Sequence, residues 1–321
     1  MKPLVLASNR PLNGGCSPRS DILCLAEALG AEVTYPDSPT KLERALAVDI
    51  RQARAAARQS DAEPVLSLSE KVGLPLALIG PKRRHVLVGH HLTSSKKQLM
   101  QKATGWLNRL DGIVVLCREQ ERYLFEEARL PAEKVHFVYD KVDSHFFVPM
   151  PEITPEPGLI VSAGRERRDW PTLLEAVKRL PDTRCTIASS SPWSRQGDPL
   201  FSENAQVTAV AALPYTELRA LYASASVIVV PLEAGVRYAA GVNAVLEARA
   251  MGRPVVVTQT PGIAEYLEGT ISVPAGDPAA LAEALDTALR NPPGMAEIRR
   301  LVEEKANLER YVSAVVQVVQ S

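Results

Sequence analysis

The sequence has few of the features that mark membrane-spanning, disulfide-bonded or metal-binding proteins. It contains only four cysteines in 321 residues, and none of their spacings matches a zinc site or a redox motif. We therefore expect reduced, mostly buried thiols in a cytosolic protein. No apolar run approaches the length of a transmembrane helix. The apolar segment at residues 3–7 is too short for the core of a signal peptide.

The chain also lacks an excess of charge of either sign. It has 37 Lys and Arg against 37 Asp and Glu, so its formal net charge at pH 7 is zero. Because nucleic-acid binding requires cations that neutralise phosphates, this balance argues against nucleic acid as the main partner. With 46% hydrophobic and 23% charged residues, the composition is that of an ordinary globular protein. The length predicts two domains.

The most informative pattern lies between residues 227 and 265. A short apolar strand leads through a loop into a helix, and a second apolar strand follows. Open α/β sheets bind ligands at the carboxyl ends of their strands. At the start of this helix the free N–H groups of Gly241, Val242 and Asn243 would point toward an anion. Glu247, one turn further, would reach hydroxyl groups of the molecule that carries the anion. A plain βαβ unit with a surface glutamate is the alternative interpretation.

Strand-like and helix-like segments alternate along the rest of the chain, which predicts parallel α/β sheets. A segment with four prolines at residues 140–157 separates two halves of similar pattern. We expect a first domain at residues 1–148 and a second at residues 149–305. A C-terminal helix at residues 306–321 should pack back toward the first domain. Clefts between domains are favoured ligand sites.

Individual elements follow from periodicity and from turn residues. Thr40–Gln59 has the pattern of one helix, with basic residues among alanines. A solvated helix face explains these charges, and contact with an anionic membrane or substrate is the alternative. Ala77–Ile79 is strand-like, and one long helix is expected from about Met295 to Val319.

Two further candidates follow strands in the first half. His90 and His91 come directly after an apolar strand, but no carboxylate or cysteine lies at a spacing that would complete a metal site. A hydrogen-bonding role at a cleft and a structural role both remain open for them. Gly14 and Gly15 follow the first strand, where such a pair forms either a ligand cradle or a simple turn.

Six ordered segments resemble the family 4 glycosyltransferases. They read VSAGRERRDWPTLLEA from residue 161, LRALYASASVIVVP from 218, VLEARAMGRPVV from 245, GIAEYL from 262, LDGIVVLC from 110 and FVYDKVD from 137. In the family these correspond to the segments around "GR…K…LLEA", "L..LY..AD..V.PS", "LLEAMACGKPVV" and "GIPEVV", and to two strand ends of the first domain. The resemblance covers most of the second domain and the last third of the first. Residues 1–85 match only in general pattern.

The resemblance implies a GT-B fold, in which two Rossmann-like doubly wound domains face each other across a cleft. It also implies transfer of a sugar from a UDP- or GDP-sugar to an acceptor, with retention at the anomeric carbon. The acceptor can be a glycan, a lipid-linked molecule or a small molecule. Carried over by position, the resemblance implies that Arg165 and Arg168 hold the donor diphosphate and that the amides of Gly241, Val242 and Asn243 hold its distal phosphate. Glu247 would bind the ribose, and His91 would lie near the donor sugar. The glycines near the phosphates would be Gly164, Gly14 and Gly15.

The chain departs from the family pattern in two places. Arg168 lies closer to Arg165 than the corresponding lysine of the family does, and one loop differs. Eight residues before Glu247 the family has a second glutamate that contacts the donor sugar, and here Ala239 stands in its place. The loop is also about four residues longer than in the family, and it contains Glu233 and Tyr238. Either Glu233 supplies the missing carboxylate, or the donor sugar is handled differently. We count Tyr238 among the donor-binding residues.

No cofactor and no metal ion are expected. The sequence contains no Asp-x-Asp triplet of the kind that holds a metal in many sugar transferases, and arginines with a helix N-terminus would stabilise the leaving diphosphate instead. Weak peripheral contact of the first domain with an anionic membrane would place the protein at the inner face. Two other functions fit the same fold: a nucleotide-sugar 2-epimerase, and a nucleotide-sugar-binding protein without catalysis, which Ala239 favours.

Overall fold

The computed structural model describes residues 2–11, 16–59, 62–189, 205–210 and 213–321. The chain forms two compact units, each built around one parallel sheet. In the described ranges, unit 1 comprises residues 2–11, 19–59, 62–139 and 309–321, and unit 2 comprises residues 16–18, 140–189, 205–210 and 213–308.

Unit 1 contains a sheet with the strand order β2-β1-β3-β4-β5-β6. All neighbouring strands pair in parallel. Apolar strands with helical crossovers produce this arrangement, because a parallel sheet must be covered on both faces. Its strands are β1 (Lys2–Leu6), β2 (Glu32–Thr34), β3 (Ala62–Ser67), β4 (His85–Gly89), β5 (Gly112–Val115) and β6 (Val135–Phe137).

The helices of unit 1 follow the expected alternation with two differences. They are α1 (Asp21–Leu29), α2 (Lys41–Leu46), α3 (Ile50–Arg58), α4 (Glu70–Ile79), α5 (Ser95–Thr104) and α6 (Arg118–Glu126), with short 3₁₀ helices at Trp106–Arg109 and Ala132–Lys134. The single helix expected over residues 40–59 is wrong, because α2 and α3 are separate. Ala47 ends α2 in the left-handed conformation with φ 53°. The buried carboxylate of Glu43 then accepts the backbone N–H of Arg51 at 3.1 Å, which fixes the start of α3.

The strand expected at Ala77–Ile79 is also wrong, because these residues form the end of α4. Pro75 lies inside this helix, where proline ordinarily costs about 3 kcal/mol. The apolar surface of Val72, Leu74 and Leu76 is buried against the sheet, and this burial outweighs the local preference. A Cβ on Gly73 would lie 2.7 Å from Leu87 Cδ1 on β4, so the close approach of helix and strand requires glycine there.

Unit 2 repeats the architecture with the strand order β12-β11-β10-β7-β8-β9. Its strands are β7 (Leu159–Ala163), β8 (Arg184–Ala188), β9 (Val207–Val210), β10 (Val227–Val230), β11 (Val255–Gln259) and β12 (Ile271–Pro274). Its helices are α7 (Trp170–Val177), α8 (Tyr215–Ser224), α9 (Val242–Ala250), α10 (Pro278–Arg290) and α11 (Met295–Glu304), with a 3₁₀ helix at Pro261–Tyr266. The strand interiors pack against α7 and α10 in one apolar core.

The long helix expected from Met295 to Val319 is interrupted. Helix α11 ends at Glu304, and α12 (Leu308–Gln320) begins after a short break. At the break, Val142 N donates to Ala306 O and Leu308 N donates to Val142 O, both at 3.0 Å. Backbone groups that pair with a neighbouring segment cannot also continue a helix, so the chain bends here.

The structure tests two further expectations, that the thiols are reduced and mostly buried and that no helix spans a membrane. All four cysteines are free. Cys117 and Cys185 are buried, whereas Cys24 is partly exposed and Cys16 is exposed, so the expectation of mostly buried thiols is correct for only two of them. No helix within the described ranges is long and apolar enough to cross a membrane.

Helix α9 is held by a buried arginine. Arg249 is 1% exposed, and its Nε donates to Ile298 O at 2.8 Å. Its Nη1 donates to the backbone oxygen of Glu268. Burial lowers the pKa of Arg249 to about 10, so the side chain remains charged at neutral pH. The guanidinium thus links α9 to the segment after the 3₁₀ helix and to α11.

We expect Arg249→Leu to lower the free energy of unfolding by about 2–5 kcal/mol, because buried backbone carbonyls would lose a charged donor. Urea unfolding measures this change. Arg290→Leu is the matched control, since Arg290 lies at the end of α10 with its side chain 74% exposed. That substitution should change the free energy by less than about 0.5 kcal/mol. Equal urea midpoints for the two variants would contradict the role of Arg249.

Candidate functional site

The site lies where the strand order of unit 2 reverses. β7 and β10 are neighbours and pair in parallel. From β7 the chain continues to β8 on one side, and from β10 it continues to β11 on the other. The two loops that follow β7 and β10 therefore leave the same edge of the sheet side by side. Open α/β sheets bind ligands at such a reversal, and the sequence predicts its site in these same loops.

The loop after β7 turns an arginine into the protein. Arg168 is 7% exposed, and its guanidinium donates to Ala163 O at 3.0 Å and to Glu166 O at 2.7 Å. Gly164 has φ 87°, and a Cβ there would lie 2.6 Å from Arg168 Nη2. Glycine is thus required both by the backbone and by the arginine. Arg165, in contrast, is exposed at the tip of the same loop.

The long loop after β10 is anchored at two points that the sequence patterns did not reveal. Thr258 Oγ1, on β11, donates to Leu232 O at 3.0 Å. Further along, Gly262 N donates to Val236 O at 2.9 Å. A Cβ on Gly262 would lie only 2.0 Å from Tyr238 O, so no other residue fits beneath the loop. The only sequence signal was the "GIPEVV"-like segment, which indicated similarity but no contact.

Glu233 and Tyr238 lie on this loop and contact the loop after β7. Glu233 Oε2 forms an ion pair of 3.0 Å with Arg167 Nη1, and both side chains are about half exposed. Tyr238 donates its hydroxyl to Glu166 Oε1 at 3.0 Å and lies 3.3 Å from Arg167 Nε. These four side chains join the two loops at the surface. The carboxylate of Glu233 therefore has a cation as its partner in this structure.

Glu247 lies in the second turn of α9, close to the buried guanidinium of Arg168. Tyr222 donates its hydroxyl to Glu247 Oε2 at 3.0 Å. Burial raises the pKa of Glu247 to about 7, while the Tyr222 hydrogen bond and the positive charge of Arg168 act in the opposite direction. Tyr222 is fully buried, and burial raises its pKa well above the usual range, so it remains a donor. The sequence patterns did not identify Tyr222 as the partner.

Arg168 lies between the two glycines of the site. A Cβ on Gly241 would lie 3.5 Å from Arg168 Nη1 and 2.9 Å from Val230 Cγ1. Burial lowers the pKa of Arg168 to about 10, and the nearby Tyr222 and Glu247 counteract this shift. The cation therefore persists at neutral pH. Its buried Nε has no hydrogen-bond acceptor among the described residues, and such orphaned donors are rare in folded proteins.

The N-terminus of α9 is open to a ligand. Gly241 is the N-cap with φ 82°, and no side chain of the described structure caps the first turn. Val242 is 1% exposed, and Asn243 is exposed. Uncapped amides at a helix start carry partial positive charge and bind anions. Gly241, Arg168 and Glu247 are thus brought together at one sheet edge.

Of the remaining predicted site residues, His91 belongs to unit 1. His91 is partly exposed, and its backbone N–H donates to Glu70 Oε1 at 2.5 Å, as does that of His90 at 2.8 Å. Glu70 is 3% exposed and holds the turn before α5, a role that the sequence did not suggest. Gly14 and Gly15 lie outside the described residues.

Within the described ranges, no group of three or more His, Cys, Asp or Glu side chains is arranged to hold a metal ion.

Comparison with known proteins bears on the second unit and on the fold. Residues 158–291 match the family model described as "Glycosyl transferases group 1". This segment is less than half of the chain and contains the whole switch-point site. The comparison with curated proteins gives no match.

Solved structures resemble the chain over its full length. Sucrose-phosphate synthase from Thermosynechococcus elongatus has 17% identity and a TM-score of 0.79, covering 100% of this chain and 98% of that chain. The Anabaena protein HepE in complex with UDP and glucose has 14% identity and a TM-score of 0.75, covering 100% and 99%. The α,α-trehalose 6-phosphate synthase from Burkholderia multivorans has 13% identity and a TM-score of 0.72, covering 100% and 98%. These likenesses confirm the predicted GT-B fold, and with the family match they support a transferase enzyme.

Proposed function

We propose that this protein is a retaining glycosyltransferase that moves a sugar from a UDP- or GDP-sugar to an acceptor. The observation that carries the proposal is the cluster of Arg168, Gly241 and Glu247 at the switch point of unit 2. This cluster combines a buried cation, an uncapped helix start and a carboxylate at one sheet edge. A nucleoside diphosphate needs these three kinds of group: cations and amides for phosphate oxygens, and a carboxylate for ribose hydroxyls.

The proposal assigns a role to each group. The amides of Gly241, Val242 and Asn243 bind the distal phosphate, because they are the first amides of an uncapped helix. Arg165, exposed at the tip of the loop after β7, contacts the diphosphate. Arg168 holds the same diphosphate through its buried positive charge, and its guanidinium also fixes the loop through Ala163 O and Glu166 O.

Further features belong to the same proposal. The donor domain corresponds to residues 149–305 and the acceptor domain to residues 1–148, with His91 near the donor sugar. Glu233 substitutes for the carboxylate missing at Ala239 once it leaves its exposed ion pair with Arg167. The resemblance to the family 4 glycosyltransferases supports retention. The lack of an Asp-x-Asp triplet supports catalysis without a metal ion, and the basic segment at residues 40–59 supports work in the cytoplasm at the inner membrane face.

A panel of nucleotide sugars tests the function directly. The protein is incubated with UDP-, GDP-, ADP- and TDP-sugars, and the products are separated by chromatography. We expect free nucleoside diphosphate to appear with one base, because transfer or slow hydrolysis releases it. An epimeric nucleotide sugar would instead indicate the 2-epimerase. Binding without turnover, detected as a thermal shift, would indicate a binding protein.

The raised pKa of Glu247 predicts a pH-dependent affinity for the nucleoside diphosphate. Ribose hydroxyls donate to an ionised carboxylate, and near pH 6 a group with a pKa of about 7 is mostly protonated. From pH 6 to pH 8 the affinity should rise roughly tenfold through this one group. Calorimetry measures the change.

Glu247→Gln is the control for this measurement, because the variant retains every other titrating group, including the ligand's phosphate. Its affinity should be lower throughout, and its pH profile should lack the extra rise. Identical profiles for both proteins would show that Glu247 does not contact the ribose.

Arg165→Ala should reduce kcat by roughly 10²–10³, because a donor to the developing diphosphate charge is lost. Arg179→Ala, at an exposed position after α7, is the matched control and should retain the parental rate. EDTA should leave the turnover of the parental protein unchanged. Turnover that disappears with EDTA and returns with Mg²⁺ or Mn²⁺ would overturn the metal-independent mechanism.

A further inference from the structure

Unit 1 contains a cavity of about 590 Å³ between the link from α2 to α3, helix α4 and the start of α5. This volume lies within the range of roughly 300–1,000 Å³ that is typical of small-molecule sites. All the residues that line the cavity belong to unit 1.

The wall of the cavity is mainly apolar. Helix α4 contributes Leu74, Pro75 and Leu78, and its last residue, Ile79, lies at the mouth with 49% of its surface exposed. Of the eight large hydrophobic residues that are exposed in the described ranges, five lie on helices α2, α4 and α5. Three of these five, Leu46, Ile79 and Met100, line the cavity. Exposed apolar side chains that cluster around a cavity are typical of binding sites.

The polar part of the lining is strongly basic. Arg54, Lys71, Lys96 and Lys97 face one carboxylate, that of Glu70. This carboxylate already accepts the backbone N–H groups of the two histidines before α5, so it is committed to the turn.

Two of these lysines lie in the first turn of α5. Cations at a helix N-terminus oppose the helix dipole, so helix stability does not account for Lys96 and Lys97. Burial lowers the pKa of Lys97, with the neighbouring Lys71 and Lys96 acting in the same direction and Glu70 opposing. An anion bound among these side chains would relieve both the repulsion and the unfavourable dipole.

We propose that this cavity binds the hydrocarbon chain of an anionic amphiphile, with its phosphate headgroup among Lys71, Lys96 and Lys97 and next to His91, and that this amphiphile is the sugar acceptor. The acceptor role rests on the proposed function, whereas the binding does not. In the transfer, a headgroup hydroxyl oxygen forms a bond to the anomeric carbon, and the bond from that carbon to the diphosphate oxygen breaks. The hydroxyl proton leaves with the departing nucleoside diphosphate.

The composition of the wall distinguishes this ligand from a sugar phosphate. The hydroxyl groups of a buried sugar each need a hydrogen-bond partner. Beyond its first turn, which carries Glu70 and Lys71, α4 presents only leucine, proline and isoleucine side chains along the cavity. A hydrocarbon chain needs no such partner and gains from leaving water. The basic groups at the mouth then select an anionic headgroup.

Binding of lauroyl lysophosphatidylglycerol below its critical micelle concentration, measured by calorimetry without any donor, tests the site. Octanoyl lysophosphatidylglycerol should bind at least about tenfold more weakly, because each buried methylene contributes about fourfold to affinity. Glycerophosphoglycerol, which has the same headgroup without a chain, and glucose 6-phosphate should bind more weakly still. Affinity that is independent of chain length would overturn the proposal.

Paired variants locate the site. Ile79→Asp places a charge at the apolar mouth, and Lys96→Glu with Lys97→Glu reverses the rim charge, so each should weaken binding about tenfold or more. Leu23→Asp is the control for the first, since Leu23 is 46% exposed on α1. Lys102→Glu, on the last turn of α5, is the control for the second. Both controls should bind the lauroyl compound with parental affinity, and equal losses in variants and controls would contradict the assignment.

Two further measurements separate the possible outcomes. If the variants lose binding to phosphatidylglycerol vesicles but retain the monomeric lauroyl compound, the face docks on membranes and the cavity proposal is wrong. Nucleoside diphosphate binding is measured on the same variants and should be unchanged. Incubation of the parental protein with the donor and the lauroyl compound should give the glycosylated amphiphile, and binding of both without this product would overturn the acceptor role. A protein that binds the amphiphile but no nucleotide would contradict the proposed function alone.

Discussion

The candidate site depends on one buried guanidinium. Arg168 lies under both switch-point loops, and the two glycines that contact it, Gly164 and Gly241, have positive φ and no room for a Cβ. A buried cation is tolerated only when acceptors and anions surround it, and here backbone oxygens of its own loop, together with Glu247, provide them. The guanidinium therefore fixes its own loop and at the same time keeps a positive potential beside the uncapped start of α9. Backbone hydrogen bonds join this loop to the loop after β10, from Asp169 N to Pro231 O and from Glu233 N to Arg167 O, both at 2.9 Å. Arg168 thus serves the fold and the electrostatics of the site.

The sequence predicted the fold because each local pattern agreed with it. Apolar runs bounded by glycine and proline marked most strands, and the strand–loop–helix unit at residues 227–265 lies at the switch point of its sheet. The errors arose where tertiary contacts override local preference. Pro75 and Gly73 obscured α4, which forms because its apolar face packs on β4. At Ala47 the backbone adopts the left-handed conformation and divides a segment whose helical periodicity is continuous in the sequence. The helix propensities of the residues in this segment do not predict that turn.

In the candidate site, the glycines that the backbone conformation requires could be predicted from the sequence. The residues that contact the site's side chains could not. Glycines at loop ends have a recognisable pattern, so Gly164 and Gly241 could be named in advance. Tyr222 lies 25 positions from Glu247 in the chain, and such a distance leaves no periodic signal. The same holds for Gly262. The need for glycine at this position is visible only in the fold, where Tyr238 O occupies the space of a Cβ. Partners that are brought together by crossovers between strands can be identified only from the fold.

The state of Glu247 connects the site to the stability of unit 2. Its pKa in the folded protein, about 7, lies above the usual value of 4.5. The folded protein therefore binds more protons than the unfolded chain between these two values, so the contribution of this group to stability falls as the pH rises from about 4.5 to about 7. At neutral pH the ligand-free protein is thus destabilised by the partial ionisation of this buried carboxyl group. A ligand that donates hydrogen bonds to the ionised form reverses this effect, because it favours the charged state that burial disfavours. Within the protein, Glu247 already serves as an anionic partner of Arg168 and as the acceptor of the Tyr222 hydroxyl, so a ligand with hydroxyl groups would add to contacts that favour its charged form.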